Sequence, residues 1–304
     1  MYSQVSGTTM DSLTHAFLVS VVASSTGQAE LIPFFILGSV IPDIDILFKH
    51  FSDPSPRFYI LTHGGLTHSL LGSIIIGLIA FIVVFFLSSL FLVSPMSGVT
   101  GILVPLLAVI SGAVLHVGVD FLSSPGIPVL YPLSDKKYSL HIFAGPSIFM
   151  LFISVIVGSL ILLGRAGRED FAIFMGFFIA ILAVRSGLKG YITIRIPGHV
   201  LPTPHLLKWV IVNDRDTSVE VRRFQFFRGI SAVTAFPKFL HTSPEEISHY
   251  QHLPEVRRHQ FYSYRSVVEK EGAMIVFHDP LREQHYFWYP PSYPSLRLVQ
   301  GKTR

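Results

Sequence analysis

The residues best suited to chemistry crowd the edges of the most apolar sequence in the chain. The stretch IPDIDILFKHFSDPSPRFYILTHGGLTHS, residues 41–69, holds three aspartates and three histidines. It runs into residues 66–93, which contain no Asp, Glu, Lys or Arg. Asp43 and Asp45 follow Pro42, which predicts a turn from which both carboxylates can aim inward. Asp11 and His15 are four residues apart, as are His116 and Asp120, and residues at i and i+4 share a helix face. Imidazole with carboxylate is a ligand set for zinc, manganese or non-haem iron when thiolates are missing. The chain has no cysteine.

Taken singly, these residues say little. A lone histidine near a helix end is most often a cap or an interface residue, and Asp43 and Asp45 could do no more than end a helix. Yet an Asp at the centre of a membrane span costs roughly 2.5–3.5 kcal/mol, and ionisable groups near the membrane edge tend to be functional. The ensemble of His15, Asp43, Asp45, His63, His68, His116 and Asp120 therefore favours a metal centre.

The elements that must carry these groups follow from the apolar blocks. Only 14% of the 304 residues are charged, against about 25% in a soluble domain. Residues 66–93 and 99–119 are each uncharged over the roughly 20 residues that a span needs. Residues 147–164 and 171–184 are further apolar blocks on either side of the charged turn RAGRED, while 13–24 and 31–42 are marginal spans, re-entrant or tilted. The prediction is an α-helical polytopic membrane domain with about four to six membrane helices, residues 10–195. Residues 1–9 precede it as an extension, and a small, mostly β soluble domain, residues 196–304, follows. Strands are expected at 209–212, 219–226, 273–277 and 286–289, with a short helix over 243–260.

Chain direction then gathers the polar groups. Segment 13–24 leaves from Asp11 and His15, and 31–42 returns to Asp43. Segment 66–93 leaves from His63 and His68, and 99–121 returns with His116 and Asp120. In an up-and-down arrangement all of them meet at one membrane face. Loops on that side carry Lys49, Arg57, Lys136, Lys137, Arg185, Lys189 and Arg195, against Arg165 and Arg168 opposite. The positive-inside rule then places the site and the C-terminal domain in the cytoplasm. His141 shares that face if residues 122–146 form a surface loop; an exposed loop histidine is an equally good reading. No long basic run with interleaved aromatics points to nucleic acid. Residues 1–30 lack the basic start of a secretory signal. No protein partner can be inferred. His241, His249, His252, His259, His278 and His285 show no ligand-like arrangement, so the soluble domain is expected to be a lid or packing domain.

Five blocks carry a family resemblance: MDSLTH at 10–15, GSVIPDID at 38–45, HGGLTHS at 63–69, HVGVD at 116–120 and PLSDKKYSL at 132–140. In order and separation they resemble the membrane-bound, metal-dependent hydrolases whose bacterial member is regulated by the LexA repressor. PTPHLLKW at 202–209 resembles the start of that family's C-terminal domain, so the likeness covers roughly residues 10–210. It implies an inner-membrane, multi-pass protein with His15, Asp43, Asp45, His63, His68, His116 and Asp120 as site residues, and Thr14, Thr67 and Ser69 as orienting neighbours. Asp11 joins them by its spacing from His15. A looser likeness to zinc-dependent phospholipases C tilts the substrate toward phosphoesters. Two departures stand out. Met10 matches the usual start, and Gly64 replaces the Arg common after the first His of the HRGxTHS block. Arg57, Lys136 and Lys137 are the cations that could replace it on an anionic substrate, with His141 nearby.

The expected chemistry is hydrolysis by water activated at a centre of two or more Zn²⁺ or Mn²⁺ ions. Asp43, Asp45 and Asp120 are the catalytic carboxylates, and a lipid-like or phosphoester substrate suits a site at the bilayer edge. The competing reading is a metal-stabilised membrane scaffold or a metal-ion transporter. Transport favours ionisable groups near mid-membrane, whereas these lie at one end.

Overall fold

Small residues and prolines set how the helices that carry the site meet. The computed structural model describes residues 12–25, 29–90, 98–145, 148–162, 168–288, 290 and 292–299. The helices in chain order are α1 (Ser12–Ser25), α2 (Ile32–Val40), the single turn α3 (Lys49–Ser52), α4 (Leu70–Leu90), α5 (Gly98–Asp120), α6 (Ile148–Leu162) and α7 (Arg168–Arg195). Among the described residues, three stretches are long and apolar enough to cross a membrane: Leu70–Ser88, Thr100–Asp120 and Ala172–Arg195. At 1.5 Å per residue α2 reaches about 13 Å and the described part of α6 about 22 Å, short of a hydrocarbon core of about 30 Å. The count of full-length spans is therefore three in the described residues, with α1, α2 and α6 as shorter apolar helices.

Helix α2 packs against both α1 and α5. Its crossing with α5 is made by glycine on both sides. A Cβ on Gly38 would lie 1.9 Å from the Val109 carbonyl oxygen, and one on Gly112 would lie 2.2 Å from that of Phe35. Only glycine lets the two backbones approach this closely, the small-residue device of membrane helix pairs. Pro42 then starts a 3₁₀ helix, Ile41–Phe48, which carries Asp43 and Asp45. Two further 3₁₀ turns, Pro56–Leu61 and Leu66–His68, lead into α4. Residues 121–145 form a folded loop, tied by paired Ile127–Tyr138 backbone hydrogen bonds of 3.1 and 2.9 Å.

Helix α7 runs unbroken to Arg195, so Arg185, Lys189 and Arg195 sit on a helix and not in a loop, as the apolar block had suggested. Nothing in SGLKGYITIR stops a helix until Pro197, whose ring disfavours helical backbone before it. Arg185 is buried; its Nε donates to the Ile142 carbonyl at 2.6 Å and its Nη2 to that of Thr203 at 3.1 Å.

The C-terminal part forms two sheets. The first orders β1 (His199–Pro202), β2 (Lys208–Asp214), β3 (Ser218–Gln225) and β4 (Gly229–Ile230), with β5 (Thr234–Pro237) also on β3. The second orders β6 (Phe239–Leu240), β7 (Val267–Glu271), β8 (Met274–His278) and β9 (Ser295–Val299), with β6 and β7 parallel. Between β6 and β7 the expected single helix is two, α8 (Pro244–Ser248) and α9 (Pro254–Tyr262), because Leu253 before Pro254 is extended (ψ 134°). A last turn, α10 (Pro280–Glu283), follows β8. The strand expected at 286–289 is absent from its described residues, 286–288. There the Tyr286 and Phe287 amides donate back to the Leu281 carbonyl, and Phe287 packs in the core beside Leu281.

This domain docks on the site side of the helices. Arg258 donates to the Ser52 and Asp53 carbonyls at 3.4 and 3.1 Å, Tyr293 donates to Asp53 Oδ1 at 2.5 Å, and Tyr262 donates to the Thr62 hydroxyl. The turn that carries His63 is thus braced from outside the bilayer segment. The glycine crossing predicts that Gly38→Ala displaces α2 from α5 and lowers divalent-metal retention by the purified protein at least tenfold. Gly118→Ala is the control, since its added Cβ meets nothing within 4 Å. Metal content per chain, measured by elemental analysis, checks both.

Candidate metal centre

Four elements deliver the ligands. Helix α1 brings His15, the 3₁₀ helix after α2 brings Asp43 and Asp45, the turn before α4 brings His63 and His68, and the last turns of α5 bring His116 and Asp120. All are buried except His63, whose side chain is 14% exposed. The structure brings the seven residues together in overlapping groups. Three overlapping groups could each hold an ion: His15, His116 and Asp120; Asp43, His68 and His116; Asp45, His63 and His68.

Hydrogen bonds decide which nitrogen of each ring is available. His116 Nδ1 lies 2.6 Å from the Ser39 carbonyl oxygen, so it is the protonated nitrogen and Nε2 keeps its lone pair. His68 Nδ1 lies 3.0 Å from Asp45 Oδ2, which likewise leaves Nε2 available to ligate. His68 Nε2 stands 3.4 Å from Asp43 Oδ1 and 3.3 Å from Asp120 Oδ2. His116 Nε2 stands 3.7 and 3.3 Å from the same two oxygens. A tetrahedron of ligands at 2.0–2.1 Å from an ion has edges of about 3.3–3.4 Å, and three of these four spacings match such an edge. Asp120 also turns Oδ1 toward His15 Nε2 at 3.3 Å, so its carboxylate faces two sides of the cluster.

Several of these buried atoms have no hydrogen-bond partner: both nitrogens of His15, Asp43 Oδ1, His63 Nε2, His68 Nε2 and His116 Nε2. Leaving one such group unsatisfied costs roughly 1–3 kcal/mol, and more if it is charged. Orphans that converge in this way form groups that could hold a cation. The donor set fits a zinc- or manganese-like ion. Burial opposes charge on Asp43, yet His116 and His68 bring its carboxyl down to about 2. The pocket attracts positive charge.

Asp45 stands apart. Its Oδ1 lies 2.7 Å from His63 Nδ1, and its Oδ2 takes the Gly64 amide at 3.2 Å, the Thr67 hydroxyl at 2.5 Å and His68 Nδ1. Gly64 has φ +76°, a conformation that favours glycine, so the residue that departs from the family pattern is the one that bends this amide onto Asp45. Thr67 thus touches Asp45, while Thr14 shares a 3.0 Å hydrogen bond with Ser154. Ser69 starts α4, accepting the Gly72 amide at 2.9 Å and donating to the Leu66 carbonyl. Asp11 lies outside the described residues.

Two partners escaped the sequence reading. Ser12 donates to Asp43 Oδ2 at 2.5 Å; its place one turn before His15 was the available signal. The Ser39 carbonyl is a backbone atom and leaves no side-chain signature. Of the proposed cations, Lys136, Lys137 and His141 line a separate polar cavity, and Arg57 is exposed and lines neither that cavity nor the apolar one beside Asp43. The apolar groove, about 600 Å³, runs along α2 past Ile36, Leu37 and Val40 to Ser12 and Asp43. The bonding pattern predicts unequal effects on metal. Asp43→Ala or His116→Ala abolishes retention, whereas Asp45→Asn lowers affinity about 10–100-fold, the usual range for an outer partner. Competition with a metal indicator measures both.

A family model described as YdjM inner membrane protein matches residues 10–191, a stretch that includes all seven residues of the centre. Comparison with curated proteins and with solved structures returned no match. With the matched region covering more than half of the chain and carrying its apolar helices, the chain belongs to the YdjM inner membrane protein family.

Proposed function

We propose that this protein is a membrane-bound, metal-dependent hydrolase acting on an amphiphilic, phosphoester-type substrate. The observation that carries the reading is the set of unpartnered Nε2 and Oδ atoms of Asp43, His68 and His116, converging with Asp120 on one buried point. A divalent ion held there would supply Lewis acidity and make water nucleophilic near neutral pH. His68 and His116 each have one free nitrogen, so the three overlapping groups are not three independent sites. Asp43, His68 and His116 would hold an ion, and His15 with Asp120 could hold another.

The other residues have separate work. Ser12 holds the remaining oxygen of Asp43, and Ser39 fixes the ring of His116. Asp45 orients His63 and His68 together. His63 is the least buried of the set, and its free Nε2 is the best-placed proton acceptor, with Asp45 holding its Nδ1 proton. The apolar groove ending at Asp43 supports a substrate with a hydrocarbon portion. Tyr262 and Arg258 tie the C-terminal domain to the segment that carries His63, which puts domain and centre on one side of the helices. The excess of basic residues there supports the cytoplasm as that side.

A structural site in a scaffold is favoured by a different observation: Asp43, His68, His116 and Asp120 are four donors, enough to close a tetrahedron. Purified, metal-loaded protein offered phosphomonoesters, phosphodiesters and phospholipids separates the readings. The hydrolase reading predicts metal-dependent turnover that falls at least a hundredfold in Asp43→Ala and Asp120→Ala, with the helices still inserted. Turnover that survives chelation, or full activity in Asp43→Ala, contradicts it. Absence of turnover on every substrate, with loss of folding on chelation, supports the scaffold. A reporter fused after Arg304 is expected to be active only in the cytoplasm; activity only outside overturns the orientation.

A further inference from the structure

The second cavity lies between the folded loop 121–145 and the C-terminal domain, and it has a different character from the metal centre. It encloses about 720 Å³, the size of a small-molecule site. None of the seven metal-centre residues lines it. Lys136 and Lys137 from the loop meet Arg257 and Arg265 from the C-terminal domain across it, beside His141. The one carboxylate on its wall, Asp135, accepts the Tyr59 hydroxyl at 2.6 Å. Arg265 also reaches Asp214, at 3.4 Å.

Lys137 is the unusual member. Its ammonium sits 3.9 Å from the centre of the Phe261 ring and 5.3 Å from that of Tyr262. Among the described residues no carboxylate pairs with it. Ring faces attract a cation, but they do not replace a counter-charge. Burial, with Arg282 adding to it, pushes the ammonium down to about 7. A half-buried lysine held between aromatic faces in a wall of like charge is costly unless an anion completes it.

We propose that this cavity is an anion site, distinct from the metal centre, which binds a phosphate-bearing ligand through Lys137 with Arg257 and Lys136. Phosphate matches the cavity because it can take a point charge from lysine and a planar fork from arginine at once. The cavity joins the loop next to α5 to the docked domain, so a ligand there also holds the two together.

The test uses the full-length protein as purified, and the Lys137 and Arg257 variants separate binding in this cavity from phosphate at the metal centre. Inorganic phosphate and glycerol 3-phosphate are titrated calorimetrically in detergent. The same protein in nanodiscs of phosphatidylcholine, with or without phosphatidic acid, is compared by thermal shift. Saturable binding that weakens at least tenfold in Lys137→Gln and in Arg257→Gln, and returns in Lys137→Arg, supports the site. Stabilisation by phosphatidic acid alone, lost in Lys137→Gln, supports the same site with a lipid headgroup as the source. Absence of binding to every phosphate probe, or unchanged binding in both Gln variants, overturns it.

Discussion

Buried ionisable groups that their own chain cannot satisfy constrain everything else in this structure. Imidazoles and carboxylates at the end of an apolar helical bundle are tolerated only where hydrogen bonds or an ion balance them. Here the balance is divided. Asp45 is saturated by His63, Gly64, Thr67 and His68, whereas Asp43 Oδ1, His68 Nε2 and His116 Nε2 have no hydrogen-bond partner among the described residues. That asymmetry separates a supporting carboxylate from candidate ligands, which residue type alone cannot do.

The apolar architecture exists in register with that demand. The backbone contact of Gly38 and Gly112 with the facing helix sets the Ser39 carbonyl against His116, and Pro42 turns the chain so that Asp43 meets the same point. On the other side, the C-terminal domain reaches the segment before His63 through Arg258, Tyr262 and Tyr293. A domain with no ligand of its own in the centre thereby bears on its geometry. The packing role expected for it acquires a physical content.

Much of this was legible in the sequence. The i, i+4 pair His116 and Asp120, the Pro42 turn and the alternating chain direction are local or directional features, so they predicted the gathering of the seven residues. What was not legible depends on distant or backbone partners. The Ser39 carbonyl leaves no side-chain mark, and the near-contact of Gly38 with Val109 joins residues seventy-one positions apart. Lys137 gains its aromatic walls from Phe261 and Tyr262, in a different domain. The aromatic run at 286–288 looked like a strand, yet its amides turn back to Leu281 because packing beside the first sheet outweighs local propensity. Arg185 looked like a loop cation because charge ended the apolar block, whereas a helix ends where its backbone is stopped, near Pro197.

The central claim is that the converging atoms are metal ligands. X-ray absorption at the metal edge of the purified, metal-loaded protein tests it most directly. The account predicts a first shell of nitrogen and oxygen at about 2.0–2.2 Å, with the outer-shell scattering of imidazole, and loss of that imidazole signal in the double variant His68→Ala, His116→Ala. A protein that retains no metal, or a shell without imidazole, would contradict it.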